Sequence, residues 1–210
     1  MERKELTQRI NTWAEENKDY IENFASELLK IDSRNLPPKG NEKQCQLRFA
    51  EEMKKIGGDV EVYDVSKVEG LTEHPAYFKS RDYTDRPNTI SAFFGEEKGH
   101  SIMFSGHMDT VSFGNEDDWT DSPLSGKVKD GKLYGRGSYD MKGGLAAAAM
   151  AVKCLKDLEV PVAGPVYVET VIDEEYGGAM GTLAGRIHGP NPDMAVIPEP
   201  TNLTMYPAHL

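Results

Sequence analysis

Three shortages in this sequence each remove a class of explanation. It has only two cysteines, Cys45 and Cys154, far apart and in no Cys-x-x-Cys spacing. They make neither a disulfide framework nor a thiolate zinc site. Cys154 lies in an alanine-rich stretch and reads as a small core residue. Basic residues are also in deficit: 24 Lys and Arg face 35 Asp and Glu, a net charge of −11. That argues against nucleic acid and anionic membrane as partners, since both are held through basic patches. Long apolar runs are missing too, and none approaches the ~20 residues that span a bilayer. Met1-Glu2-Arg3-Lys4-Glu5 leads into an amphipathic helix, not an apolar signal region. The expectation is a cytoplasmic protein. With 38% hydrophobic and 28% charged residues, the 210-residue chain has the balance of an ordinary globular protein.

Helix-period and strand-period segments alternate along the chain. Leu6, Ile10, Trp13, Ile21, Phe24, Leu28 and Ile31 mark one helical face, with a break at Asn17-Lys18-Asp19 and Asp19 as the expected cap. Pro37-Pro38 sits in a loop. Asn41 is expected to cap the next helix, which Gly57-Gly58 stops. Strands are expected at Val60–Val65, Thr89–Phe94 (ended by Gly95), Ser101–Ser105 and Pro165–Ile172, with a short buried one at Met194–Ile197. Asp130-Gly131 suits a two-residue hairpin turn between Lys127 and Tyr134. Helices are expected from Lys142 to Leu158 and from Gly178 to Ile187, with the start of another strand within Leu203–Tyr206. Residues 66–87 show no pattern. The class is α/β, with a mixed, mostly parallel sheet flanked by helices.

Four polar clusters then stand out. Ser105-Gly106-His107-Met108-Asp109-Thr110 leaves one apolar strand, Asp173-Glu174-Glu175 leaves another, and Pro198-Glu199-Pro200 follows a third. Tyr139-Asp140-Met141 stands between the hairpin and a helix N-terminus, where an anion is favoured. Open α/β sheets bind ligands beyond the carboxyl ends of their strands, so the clusters should meet there. One imidazole with several carboxylates suits Zn²⁺, or Co²⁺ or Mn²⁺ in its place. A carboxylate can bridge two ions that acidify a shared water, and a further carboxylate can take its proton. Glu174 and Glu175 could divide the work of base and ligand, and Asp109 could support His107.

Each piece has a plainer explanation. A lone His-x-Asp after a strand is usually a turn, and an isolated Asp-Glu-Glu is usually a solvated loop. Gly135-Arg136-Gly137 with Lys142-Gly143-Gly144 fits no phosphate-binding pattern and is better explained by tight turns and close helix packing. Asp118-Trp119 with Pro123 could line a substrate pocket or plug the hairpin, and the plug is the favoured reading. His74, His100 and His188 are expected in polar loops and read as surface residues. The signal is the joint, ordered occurrence of the four clusters at strand ends.

These residues carry a resemblance. From about Glu22 onward the chain resembles the di-zinc metallopeptidases that include acetylornithine deacetylase, succinyl-diaminopimelate desuccinylase, aminoacylase and glutamate-releasing carboxypeptidases. It rests on Ser105–Val111, Trp119 with Pro123, Gly131–Gly144, Asp173–Gly178 and Pro198–Thr201. The resemblance implies that His107 and Glu199 bind one metal, Glu175 the other, and Asp140 bridges them, with a cis peptide to Met141. Glu174 would be general base and then acid, and Asp109 would orient His107. The implied reaction is hydrolysis of an amide, in an N-acyl amino acid or small peptide, through a metal-bridging hydroxide with two Zn²⁺ ions.

Family members continue through a lid domain, which often carries a dimer interface, and return to supply a last histidine ligand. Residues 1–210 are therefore expected to be a partial catalytic domain, incomplete at the C-terminus and weakly active or inactive alone. His209 comes too early to be that last ligand, and a homodimer is expected only in a full-length protein. The competing readings are a non-catalytic metal-binding fragment or scaffold module, and phosphate or nucleotide binding at the glycine-rich stretch.

Overall fold

The computed structural model describes residues 2–94, 99–177, 180–202 and 204. The chain opens with helices α1 (Arg3–Glu16) and α2 (Lys18–Lys30), which break at Asn17 as expected. Asp19 is not the cap. It falls inside the first turn of α2, and Asn17 takes the flanking position, its amide donating back to the Trp13 carbonyl at 2.8 Å. Two short strands, β1 (Asn35–Leu36) and β2 (Lys39–Gly40), close the Pro37-Pro38 loop. They lead to α3 (Lys43–Lys55). Glu42, not Asn41, precedes this helix, and it makes no side-chain cap because its carboxylate is held by Arg86 Nε at 3.0 Å.

Strands β3 (Asp59–Asp64), β4 (Pro87–Phe93) and β5 (Ile102–His107) follow. The hairpin β6 (Lys127–Lys129) and β7 (Lys132–Tyr134) turns at Asp130 and Gly131, whose φ of 52° and 71° are the positive values a type I′ turn needs. Next come α4 (Lys142–Asp157), β8 (Val166–Val171), α5 (Met180–His188) and β9 (Met194–Val196).

The main sheet has the order β3-β4-β8-β5-β9. β4 pairs antiparallel with both neighbours, so it alone runs against the other four strands. The mixed, mostly parallel sheet is thus present. Side-chain alternation serves two apolar layers. Val166 and Val168 face a core built with Phe24, Leu28, Phe49, Leu145 and Ala149, from α2, α3 and α4. On the opposite face Arg186 of α5 donates to Glu169 at 2.6 Å, and Ser105 donates to the same buried carboxylate at 2.7 Å.

Three local expectations need correction. β9 is not buried: among the described residues it is the outermost strand of the sheet, and it leaves Met194 52% and Val196 42% exposed. His188 is no loop residue. It ends α5, stacks on Tyr63 at 4.0 Å between ring centres, and lies 3.1 Å from Glu61. Residues 66–87, which carry no sequence pattern, bury Leu71 and Tyr83 in a cluster with Met180 and Ala184, and bury Arg81 and Arg86 as well. Gly95, the helix start at Gly178, His209, and nearly all of the strand expected within Leu203–Tyr206 lie outside the described residues.

Candidate metal centre

Strands β8, β5 and β9 are adjacent and parallel, so their carboxyl ends open on one edge. His107 is the last residue of β5 and pairs in register with Val171 of β8. Two residues beyond Val171 the chain reaches Asp173, Glu174 and Glu175; three beyond Val196 it reaches Glu199. The sheet alone therefore brings three of the four clusters together.

Helix α4 supplies the fourth. It packs on the sheet so closely that a Cβ at Gly106 would lie 2.4 Å from the Met141 methyl carbon. At Gly144 it would meet the Pro198 carbonyl oxygen at 2.3 Å, and at Gly143 the Ser138 carbonyl oxygen at 2.3 Å. Close packing is thus the work of these glycines. The peptide between Asp140 and Met141 is cis. Asp140 reaches back over β5 to place its carboxylate 3.0 Å from His107 Nε2.

His107 is 1% exposed, and its two nitrogens do different things. Nδ1 bonds the backbone carbonyl of Asp109 at 2.9 Å, which makes it the donor and turns Nε2 toward the carboxylates. Around Nε2 lie Asp140 at 3.0 Å, Glu199 at 3.5 Å and Glu174 at 3.7 Å. Asp109 supports the imidazole mainly through that carbonyl. Its fully buried carboxylate, 3.6 Å from Nδ1, serves the neighbouring loop. It accepts the backbone N–H of Glu174 at 3.2 Å and of Glu175 at 3.0 Å, and the Asn35 amide at 2.7 Å.

The electrostatics are those of crowded acids. Burial disfavours a charged His107, but Asp140, Asp109, Glu199 and Glu174 outweigh it and push its pKa up to about 9. Burial, then the Asp140 charge, lifts Glu175 to about 7. Burial likewise lifts Glu199 to about 7, helped by Asp140 against the pull of His107. The hydrogen bond to His107 holds Asp140 below the ordinary range. One imidazolium cannot neutralise this many carboxylates, so protons or cations must. Two groups of donors, His107 with Glu174 and Glu199, and His107 with Asp140 and Glu175, each bring one atom per residue within 4.8 Å of one another. Imidazole and carboxylate at that spacing suit divalent ions of the zinc type.

The pattern that defines Peptidase family M20/M25/M40 matches residues 103–207, half of the 210-residue chain. The chain belongs to this family. It is 27% identical to the N-formyl-4-amino-5-aminomethyl-2-methylpyrimidine deformylase of Bacillus subtilis over 191 residues, which is 90% of this chain and 40% of that protein. It is 37% identical to the succinyl-diaminopimelate desuccinylase of Rhodospirillum centenum over 139 residues, 63% of this chain and 35% of that protein. The chain thus spans well under half the length of these relatives. Its fold resembles human carnosine dipeptidase 1, with a TM-score of 0.64 at 21% identity over 90% of this chain and 40% of that one. It also resembles a tripeptidase from Staphylococcus aureus, with a TM-score of 0.60 at 22% identity over 86% of this chain and 43% of that one. M20 proteins are hydrolytic, metal-dependent enzymes.

Sequence reasoning missed the polar residues beneath the site. Asn35, Glu42, Arg81 and Arg86 are all buried and hydrogen-bonded around Asp109 and Asp173. No residue pattern marks them, because each comes from a loop, a helix edge or the two-residue strand β1, remote in sequence from its partners. Trp119 donates from its indole to the Phe113 carbonyl at 2.8 Å and carries the Arg136 guanidinium 5.2 Å above its ring. It anchors its loop, yet it also lines a cavity of about 360 Å³ with Ser122 and Tyr134.

Proposed function

We propose that residues 1–210 form part of the catalytic domain of a metal-dependent hydrolase that cleaves the amide bond of an N-acyl amino acid or a small peptide. The observation that carries this is the convergence of His107, Asp140, Glu174, Glu175 and Glu199 beyond three parallel strands, in a chain of the M20 family. The two relatives named above are a deformylase and a desuccinylase, which favours an N-acylated substrate.

In this reading His107 and Glu199 would hold one ion and Glu175 a second, with Asp140 as a further ligand. Zn²⁺ is the first choice and Co²⁺ or Mn²⁺ the substitutes. Bound there, the ions would polarise the substrate carbonyl and lower the pKa of water. Glu174 is the proton carrier. Its side chain is 44% exposed, so it can meet both water and substrate. It takes a proton as water adds to the carbonyl carbon and returns it to the nitrogen as the C–N bond breaks. The products are a carboxylate and an amine. Asp109 fixes the carrier by holding the Glu174 and Glu175 amides, and its backbone carbonyl turns His107 Nε2 toward the carboxylates. The setting in this reading is cytoplasmic.

The test is a panel of N-formyl, N-acetyl and N-succinyl amino acids and dipeptides, given to the full-length protein with and without Zn²⁺ or Co²⁺. Metal-dependent release of amine that Glu174→Gln abolishes is expected. Turnover unchanged by Glu174→Gln, or no turnover with metal bound, contradicts the proposal; the second result would leave a metal-binding scaffold.

A further inference from the structure

Outside the candidate ligands, the most specific side-chain geometry surrounds Arg81. Its guanidinium is buried in the stretch that carries no sequence pattern. Nη2 lies 2.7 Å from Asp173 Oδ1, and Nε lies 3.2 Å from the same oxygen. Nη2 also donates to the Asn35 side-chain carbonyl. The Asn35 amide in turn donates to Asp109 at 2.7 Å and to Asp173 at 3.2 Å. Asp109 then receives the Glu174 and Glu175 amides. A continuous path of hydrogen bonds therefore joins one guanidinium to the backbone of both glutamates. The face of the same guanidinium lies 4.5 Å from the Tyr176 ring.

We infer that Arg81 and Asn35 are positioning residues that set where the Glu174 and Glu175 carboxylates stand. The segment 173–176 is gripped at three points: the Asp173 carboxylate, the two amides and the Tyr176 ring. The grip has a conformation to maintain, since Asp173 sits at φ 66°, in the left-handed region that non-glycine residues seldom occupy. Charge explains the residue types. Asp109, Asp173 and Glu42 are three buried acids, and Arg81 and Arg86 are the two guanidinium groups among them. An aspartate at position 35 would add a fourth acid, whereas asparagine both donates and accepts. A lysine at position 81 would keep the charge but lose the planar fork that contacts Asp173, Asn35 and Tyr176 together.

The geometry stands by itself, while its chemical consequence rests on the metal-site reading above. The experiment therefore has two arms. In the first, hydrogen exchange is followed in the metal-free chain for wild type, Arg81→Lys and Asn35→Ser. Both variants should exchange the Glu174 and Glu175 amides about tenfold faster, with the β8 amides unchanged. Unchanged glutamate amides, or equal acceleration throughout β8, would overturn the inference, the second by showing general loosening. Asn35→Ser keeps the test decisive if Arg81→Lys does not fold. In the second arm, Co²⁺ affinity should fall roughly 10–100-fold in Arg81→Lys. Wild type that takes up no Co²⁺, with the amides behaving as expected, would sink the metal-site reading and leave the positioning role in place.

Discussion

Gly144 offers a sharp test of how α4 meets the site. Replacing it with alanine should help the helix in isolation, since glycine costs about 1 kcal/mol against alanine inside a helix. The structure predicts the opposite sign. A Cβ there would sit 2.3 Å from the Pro198 carbonyl oxygen and 3.1 Å from the Pro198 Cβ. The first contact is with backbone, so no rotamer change relieves it. Either α4 moves off the sheet or the segment 198–199 moves away from α4. Overpacking of this kind costs about 1–3 kcal/mol beyond the propensity gain. The displaced segment carries Glu199, so metal affinity should fall with stability. Urea denaturation of the metal-free chain and a Zn²⁺ titration would measure both. Ala151→Gly, at an exposed position of α4, calibrates the propensity alone and should lose about 1 kcal/mol. A Gly144→Ala variant as stable as wild type, with unchanged Zn²⁺ affinity, would refute the packing argument.

Other outcomes follow from the same geometry. Glu174→Gln in the full-length protein should lower kcat by at least about 100-fold while Zn²⁺ binding stays within a few-fold, because the amide cannot carry a proton. Equal loss of binding and turnover would make Glu174 a ligand instead. Glu42→Gln removes the charge facing Arg86 in a fully buried pair and should cost about 3 kcal/mol in urea denaturation; a change under about 0.5 kcal/mol, the size of a surface substitution, would contradict the pair's role. The metal-free protein should lose stability as pH rises. Glu175 and Glu199, lifted from 4.5 to about 7, and His107, lifted from 6.5 to about 9, all hold protons more tightly folded than unfolded. Their contribution fades as pH climbs through those intervals. Denaturation midpoints in chelator between pH 6 and 9 should fall, and saturating Zn²⁺ should remove the trend by replacing the protons. A flat or rising chelator profile would show that the carboxylates do not crowd as described.

Much of the fold was legible because local signals agreed with the tertiary result. Asp130-Gly131 makes the turn its residue types favour, and the run 166–171 is a strand buried between neighbours. The candidate site was legible for a related reason. Strand ends are local features, and adjacent parallel strands bring them together without further information. What could not be read depends on contacts distant in sequence. Glu42 precedes α3 without capping it because Arg86, from a loop 44 residues away, has claimed its carboxylate. His188, at the end of α5, is held by Tyr63 and Glu61 on β3. β9 shows the reverse error: an apolar run suggested burial, but its outermost place in the sheet leaves it open.

The proposed function requires His107 to organise a divalent metal site from carboxylates at one sheet edge. Isothermal titration of Zn²⁺ into metal-free wild type and His107→Ala, at a pH above 7 with the fold of each confirmed by circular dichroism, tests it most directly. Saturable binding with proton release is expected in wild type, and an affinity at least about 100-fold weaker in the variant. Equal affinity in the two proteins, or no saturable binding in wild type, would contradict it.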